Sequence, residues 1–103
     1  MNSVYELKYF ISIIKSLHIE DTRIAEYTDE IINIFSEDED KTIKSLPLFS
    51  EEEISWIAPN FDQIAGTLQS KSFINCIESI GEKYPNIPYK QDDIQDAKDA
   101  MDE

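Results

Sequence analysis

Apolar residues recur at helical spacing along almost the whole chain, and this pattern most constrains the fold. The clearest stripe comprises Leu7, Phe10, Ile11, Ile14 and Leu17, which follow one another at steps of one or three residues. Only two glycines occur in the 103 residues, and neither follows an asparagine or aspartate as in a tight hairpin turn. Because sustained alternation of apolar and polar residues is also missing, we predict an all-α fold.

Capping residues and prolines divide the chain into about seven short helices. The clearest start is at Ser50, which forms a capping box with Glu53, while Phe49 and Ile54 are spaced as a hydrophobic staple. The predicted helices run from Ser3 to about His18, from Asp21 through Phe35, from Ser36 to Leu46, from Ser50 to Ala58, from Asn60 to Leu68, from Ser70 or Ser72 through Ile80, and from Gln91 to about Met101. An extended connector is expected over residues 84–89, which include two prolines. We therefore expect residues 1–103 to form a single compact, irregular all-α domain.

The negative charge is concentrated in two blocks. The chain has a net charge of −13, of which residues 20–53 carry −9 and residues 91–103 carry −5. Residues 1–19 carry +1 and residues 54–90 carry no net charge. Such a field repels nucleic acid and anionic membranes and steers association with a basic protein. Direct binding to nucleic acid or to a membrane is therefore not expected.

Seven of these acids lie within eighteen residues, in the runs Glu37, Asp38, Glu39, Asp40 and Glu51, Glu52, Glu53. One interpretation is that they favour helix starts, since each carboxylate in a first turn contributes roughly 0.3–1 kcal/mol through the helix dipole. That explains one or two acids per helix but not four in a row. Together with a second patch at Asp92, Asp93 and Asp96, the surplus favours a surface for a basic protein partner.

A metal site and a catalytic site both find little support in the sequence. A calcium loop beginning at Asp38 would place Ile43 at its glycine position and Phe49 at its bidentate glutamate position. The single histidine, His18, and the single cysteine, Cys76, formally allow a catalytic pair, but Cys76 lies in an apolar stretch typical of a buried residue. We expect no metal, no cofactor and no enzymatic activity.

Trp56 has two interpretations. A tryptophan in a short helix is more often part of the core. Its position beside three glutamates also fits an interface anchor surrounded by acids. The sequence therefore allows both a core residue and an interface anchor.

The N-terminal residues are interrupted by Glu6, Lys8 and Lys15, which is not typical of a signal peptide, and no apolar run is long enough to span a membrane. One cysteine excludes an internal disulfide. We expect a cytoplasmic protein.

The segments LFSEEEISWIAPNF and FINCIESIGEKYPNIPY resemble the helical immunity proteins of bacterial contact-dependent growth inhibition systems. The resemblance extends over most of the chain as a general pattern, in particular to immunity proteins paired with ribonuclease toxins. It implies a cytoplasmic antitoxin that is a monomer when free and forms a 1:1 complex with a basic toxin domain. No site residue is transferred from the family by motif, so the acidic candidates and Trp56 come from the charge pattern.

Two alternatives share the small, acidic, helical character. One is a nucleic-acid mimic that inhibits some other DNA- or RNA-binding protein. The other is an acyl-carrier-like protein, for which Ser45 would be the candidate attachment serine, although Lys44 precedes it where an aspartate is expected.

Overall fold

The computed structural model describes residues 3–87 and 90–102, and these residues contain seven α-helices and two short 3₁₀ turns. The α-helices are α1 (Ser3–Ser16), α2 (Arg23–Glu37), α3 (Glu39–Ser45), α4 (Glu51–Ile57), α5 (Phe61–Leu68), α6 (Lys71–Lys83) and α7 (Lys90–Asp99). The described residues contain no strand, so the all-α prediction is confirmed. Pro88 and Tyr89, at the end of the predicted connector, lie outside the described residues.

The prolines convert two helix ends into 3₁₀ turns. One turn spans Leu46–Leu48 after α3, and the other spans Ala58–Asn60 after α4. In each the proline occupies an early position of the turn, where its missing N–H removes no helical hydrogen bond. α3 and α4 are therefore each followed by a three-residue 3₁₀ turn and not by a long loop.

The third predicted helix begins later than expected. Ser36 lies inside α2, and Asp38 is the residue that caps α3, accepting a hydrogen bond from the Lys41 backbone N–H at 3.1 Å. The prediction of Ser36 as the helix start was wrong because the apolar face of α2 continues to the buried Phe35 and keeps Ser36 helical. The Ser36 hydroxyl is buried and has no hydrogen-bond partner among the described residues.

One apolar core connects six of the seven α-helices of the described residues, since α3 contributes no apolar side chain to it. Its fully buried large side chains lie in α1, α2, α4, α5 and α6, and two more lie in or beside the first 3₁₀ turn. The helical ones are Leu7, Ile11, Phe35, Ile54, Ile57, Ile64, Phe73 and Ile77, and the two at the turn are Leu46 and Phe49. Thr42 of α3 is buried as well, and its hydroxyl donates to the Phe35 carbonyl at 2.6 Å. That bond satisfies a carbonyl near the end of α2 and so fixes the corner between α2 and α3.

Small residues allow α7 to lie directly against α5. Ala65 and Ala97 are completely buried, and Ala100 lies opposite Gly66. At the end of α5, Gln69 adopts a left-handed backbone conformation with φ of 48°. Its side-chain amide donates to the carbonyls of Gly66 and Ala100, at 2.8 and 3.0 Å, and accepts from the Asp102 N–H at 2.7 Å. Gln69 thus joins the C-terminal ends of α5 and α7.

No helix in the described part of the chain combines the length and apolar character needed to cross a bilayer.

Candidate partner-binding surface

Four consecutive carboxylates lie at the α2–α3 corner, and three of them have no partner among the described residues. Glu37 ends α2, Asp38 caps α3, and Glu39 and Asp40 occupy the first turn of α3, with all four exposed. Asp38 serves the fold through its cap. Among the described residues, the side chains of Glu37, Glu39 and Asp40 form no ion pair or hydrogen bond. These three carboxylates are therefore available to a partner.

The acids of α4 are used differently, because α1 lies beside them. Glu53 completes the predicted capping box with Ser50 and also accepts from the Lys8 ammonium group at 2.6 Å. Glu52 pairs with Lys15 at 2.5 Å, and Glu51 is exposed without an ion pair in the described part of the structure. Two of the three acids thus stabilise the packing of α1 on α4.

Partial burial of Glu53 opposes its ionisation, but the hydrogen bonds from Lys8 and Ser50 more than offset this and hold the pKa of its carboxyl below the ordinary value. The Lys8 ammonium also lies 5.0 Å from the centre of the Phe49 ring. Lys8 therefore connects a core aromatic residue with an acid at the surface.

Trp56 lies at the surface and is 42% exposed, so it is not a core residue. Glu52 and Glu53 precede it by four and three residues, which places them beside it on the helix. Since Lys15 and Lys8 already neutralise these two acids, the environment of Trp56 is less negative than the sequence implies. Trp56 keeps the exposure that an interface anchor requires.

The second acidic patch includes a residue that the sequence analysis missed. Asp92 and Asp96 are exposed on α7, whereas Asp93 is partly buried. Partial burial raises the pKa of Asp93, and the neighbouring charges of Asp96, Asp92 and Asp62 raise it further. Asp62 belongs to α5 and joins the patch only because α5 and α7 pack together, so no local sequence signal identifies it.

A pocket of about 410 Å³ opens beside the α2–α3 acids. Leu7 and Phe35, each 1% exposed, form part of its lining, and Leu48, 61% exposed, lies at its edge. Glu37, Asp38, Lys41 and Lys44 provide the charged lining. Sequence reasoning missed this pocket because its lining comes from α1, α2, α3 and the first 3₁₀ turn.

The candidate catalytic residues have ordinary structural surroundings. Burial raises the pKa of the Cys76 thiol, whose Sγ lies 3.8 Å from the Ile43 carbonyl oxygen. His18 is exposed, and its Nδ1 accepts from the Glu20 N–H at 3.2 Å. Within residues 3–87 and 90–102, no three histidine, cysteine or acidic side chains are grouped so that they could hold a metal ion.

Comparison with known proteins identifies no relative: no protein-family model, no curated protein and no solved structure matches this chain.

Proposed function

We propose that this protein is an immunity protein, which binds a basic bacterial nuclease toxin, in particular a ribonuclease, and neutralises it without turnover. The observation that carries the proposal is the set of unpaired carboxylates at Glu37, Glu39 and Asp40. Adjacent like charges repel one another and contribute little to the fold beyond the cap at Asp38. A partner with basic side chains would relieve the repulsion between these carboxylates when it binds, and this relief would favour the complex.

The proposed mechanism follows from the chemistry of nucleases. A nuclease holds the phosphate backbone of its substrate with lysine and arginine side chains. Carboxylates presented on a rigid helix corner can pair with the same groups and cover the cleft. The net charge of −13 creates a long-range electric field that would accelerate the encounter with a basic partner. Because dissolved salt screens this field, the association rate should fall steeply as the salt concentration rises.

The test is capture of the partner from the source bacterium, followed by measurement of inhibition. The wild-type protein is compared with a triple charge reversal, Glu37→Lys, Glu39→Lys and Asp40→Lys. The matched control reverses three exposed acids of α2, Glu26→Lys, Asp29→Lys and Glu30→Lys, which changes the net charge equally. The proposal predicts that a basic nuclease is captured and inhibited, and that only the first triple variant loses most of its affinity.

If both triple variants lost the same affinity for the captured partner, the loss would follow from net charge alone. That result would contradict a binding surface at Glu37, Glu39 and Asp40. Capture of a chromosomal DNA- or RNA-binding protein instead of a toxin would favour the nucleic-acid mimic.

The carrier alternative has an observation against it. Ser45 is buried, and its hydroxyl donates to the Thr42 carbonyl at 3.2 Å, whereas an attachment serine must be accessible to a modifying enzyme. The intact mass of the protein purified from its source tests this directly, because a phosphopantetheine arm would add a defined mass.

A further inference from the structure

The pocket beside the α2–α3 corner has an apolar lining that suits one apolar side chain of another molecule. Leu7 and Phe35 are core residues that form part of its lining, and Leu48 extends the apolar surface outward to solvent. Its volume of about 410 Å³ lies in the lower part of the range for small-ligand sites, roughly 300–1,000 Å³. An apolar group entering here would remove both its own surface and that of Leu48 from water.

The acidic residues of the pocket lining come before the basic ones along the chain. Glu37 ends α2 and Asp38 caps α3, and Lys41 and Lys44 follow Asp38 by about one and two helical turns. With a rise of about 1.5 Å per residue, Lys44 lies about 9 Å along the helix from Asp38. Among the described residues neither lysine forms an ion pair, so the pocket has a negative end and a positive end.

We propose that this pocket binds an apolar side chain of the protein partner, with a basic partner residue at Glu37 and an acidic one toward Lys44. The inference rests on the proposed function, because it specifies how the basic partner is anchored. Charge complementarity determines the orientation of the bound segment, and the apolar side chain supplies the anchor that carboxylates alone do not provide.

A defined peptide tests the pocket without the partner. The probe is a capped hexapeptide, Lys-Arg-Leu-Ser-Glu-Glu, titrated into the ¹⁵N-labelled protein while amide chemical shifts are recorded. One control peptide has serine in place of leucine, and another has glutamine in place of all four charged residues. The proposal predicts shifts concentrated in residues 34–48 and binding about tenfold weaker for both controls. Equal binding of the leucine and serine peptides, or shifts spread over all acidic residues, would overturn it.

Two protein variants identify the anchor contact. Leu48→Ser removes exposed apolar surface from the pocket, and Ile19→Ser removes exposed apolar surface elsewhere, since Ile19 is 86% exposed and does not line the pocket. Both changes are at exposed positions, so both variants should fold. Leu48→Ser should weaken the leucine peptide and the captured partner by about tenfold, and Ile19→Ser should leave both unchanged. Concentration-dependent dimerisation abolished by Leu48→Ser would assign the pocket to a second copy of this chain and overturn the proposal.

The experiments separate the two proposals. If the Glu37, Glu39 and Asp40 reversal weakens the captured partner while Leu48→Ser behaves like Ile19→Ser, the anchor is wrong and the acidic surface stands. If the leucine peptide binds in the pocket but no basic nuclease is captured, the immunity function is wrong and the pocket stands as a peptide site.

Discussion

Glu53 of α4 and Lys8 of α1 form an ion pair of 2.6 Å, although 45 positions separate them in the sequence. The same carboxylate oxygen accepts from the Ser50 N–H at 2.8 Å. One oxygen therefore both caps its own helix and binds the neighbouring helix. An acid that looks like part of a binding surface in the sequence is thus a structural residue in the folded protein.

Glu53→Ala is expected to lower the free energy of unfolding by about 1–2 kcal/mol, because half of the capping box and the pair with Lys8 are both lost. Urea denaturation at neutral pH measures the change. Glu51→Ala is the matched control, since Glu51 is an exposed acid in the same first turn, and its effect should stay within about 0.5 kcal/mol.

The contribution of Glu53 should also depend on pH. Its folded pKa lies below the ordinary value of 4.5, so its stabilisation is complete above that value and is lost as pH falls through the lower folded pKa. The difference between wild type and Glu53→Gln should therefore shrink on acidification below pH 4.5. A difference that stays constant across this range would contradict the role of the carboxylate charge.

Asp93→Asn should stabilise the protein at neutral pH by up to about 0.5 kcal/mol, because it removes repulsion from acids on α5 and α7. Burial and these neighbours raise the folded pKa of Asp93. The folded state therefore binds the proton more tightly than the unfolded state, and the penalty disappears as pH falls below the ordinary pKa of 3.8. Thermal unfolding at several pH values measures this.

The matched control is Glu51→Gln, which also replaces an acid in the first turn of a helix and whose acidic neighbours Glu52 and Glu53 are paired with lysines. It loses the same favourable helix-dipole interaction and lacks the cross-helix neighbours of Asp93, so it should be neutral or slightly destabilising. Stabilisation of equal size by both variants would attribute the effect to net charge alone.

Gln69→Ala should destabilise the protein by about 1–2 kcal/mol, because one hydrogen bond within the end of α5 and two hydrogen bonds to the end of α7 are lost. Gln69→Gly should recover about 1 kcal/mol of this loss, because glycine adopts the left-handed conformation without steric cost. Urea denaturation of both variants tests the order, with Gln63→Ala, an exposed glutamine of α5, as control. If the Gln69→Gly variant were no more stable than the Gln69→Ala variant, the left-handed backbone conformation would not be the reason for the difference.

Gly66→Ala should increase stability by about 0.5–1 kcal/mol, since alanine is the better helix former. The added Cβ would lie 3.8 Å from the Ala100 Cβ, which is ordinary van der Waals contact. Thermal and urea unfolding measure the gain. Gly66→Pro is the companion variant and should be destabilising by about 3 kcal/mol, because proline lacks the N–H that the interior of α5 uses.

Local features of the fold were predictable because their determinants lie within a few residues of each other. The capping box of Ser50 and Glu53 needs only three residues of separation, and the prolines act on their own helix ends. Ser36 is the instructive exception. A serine followed by acids indicates a helix start, but the buried Phe35 keeps the preceding helix intact. Apolar packing therefore outweighed a local capping preference.

The candidate surface could be predicted from short-range sequence patterns only in small part. Seven acids in eighteen residues could not be divided into structural and available groups from the sequence, since the lysines that neutralise Glu52 and Glu53 come from α1. Asp62 and the pocket at Leu48 were missed for the same reason.

By itself the sequence determined an all-α chain with a large excess of negative charge, because helix formation and net charge follow from composition and short-range spacing. Only the tertiary structure decided which carboxylates are free and which apolar surface lies beside them, because ion pairs and pockets join positions that are distant along the chain.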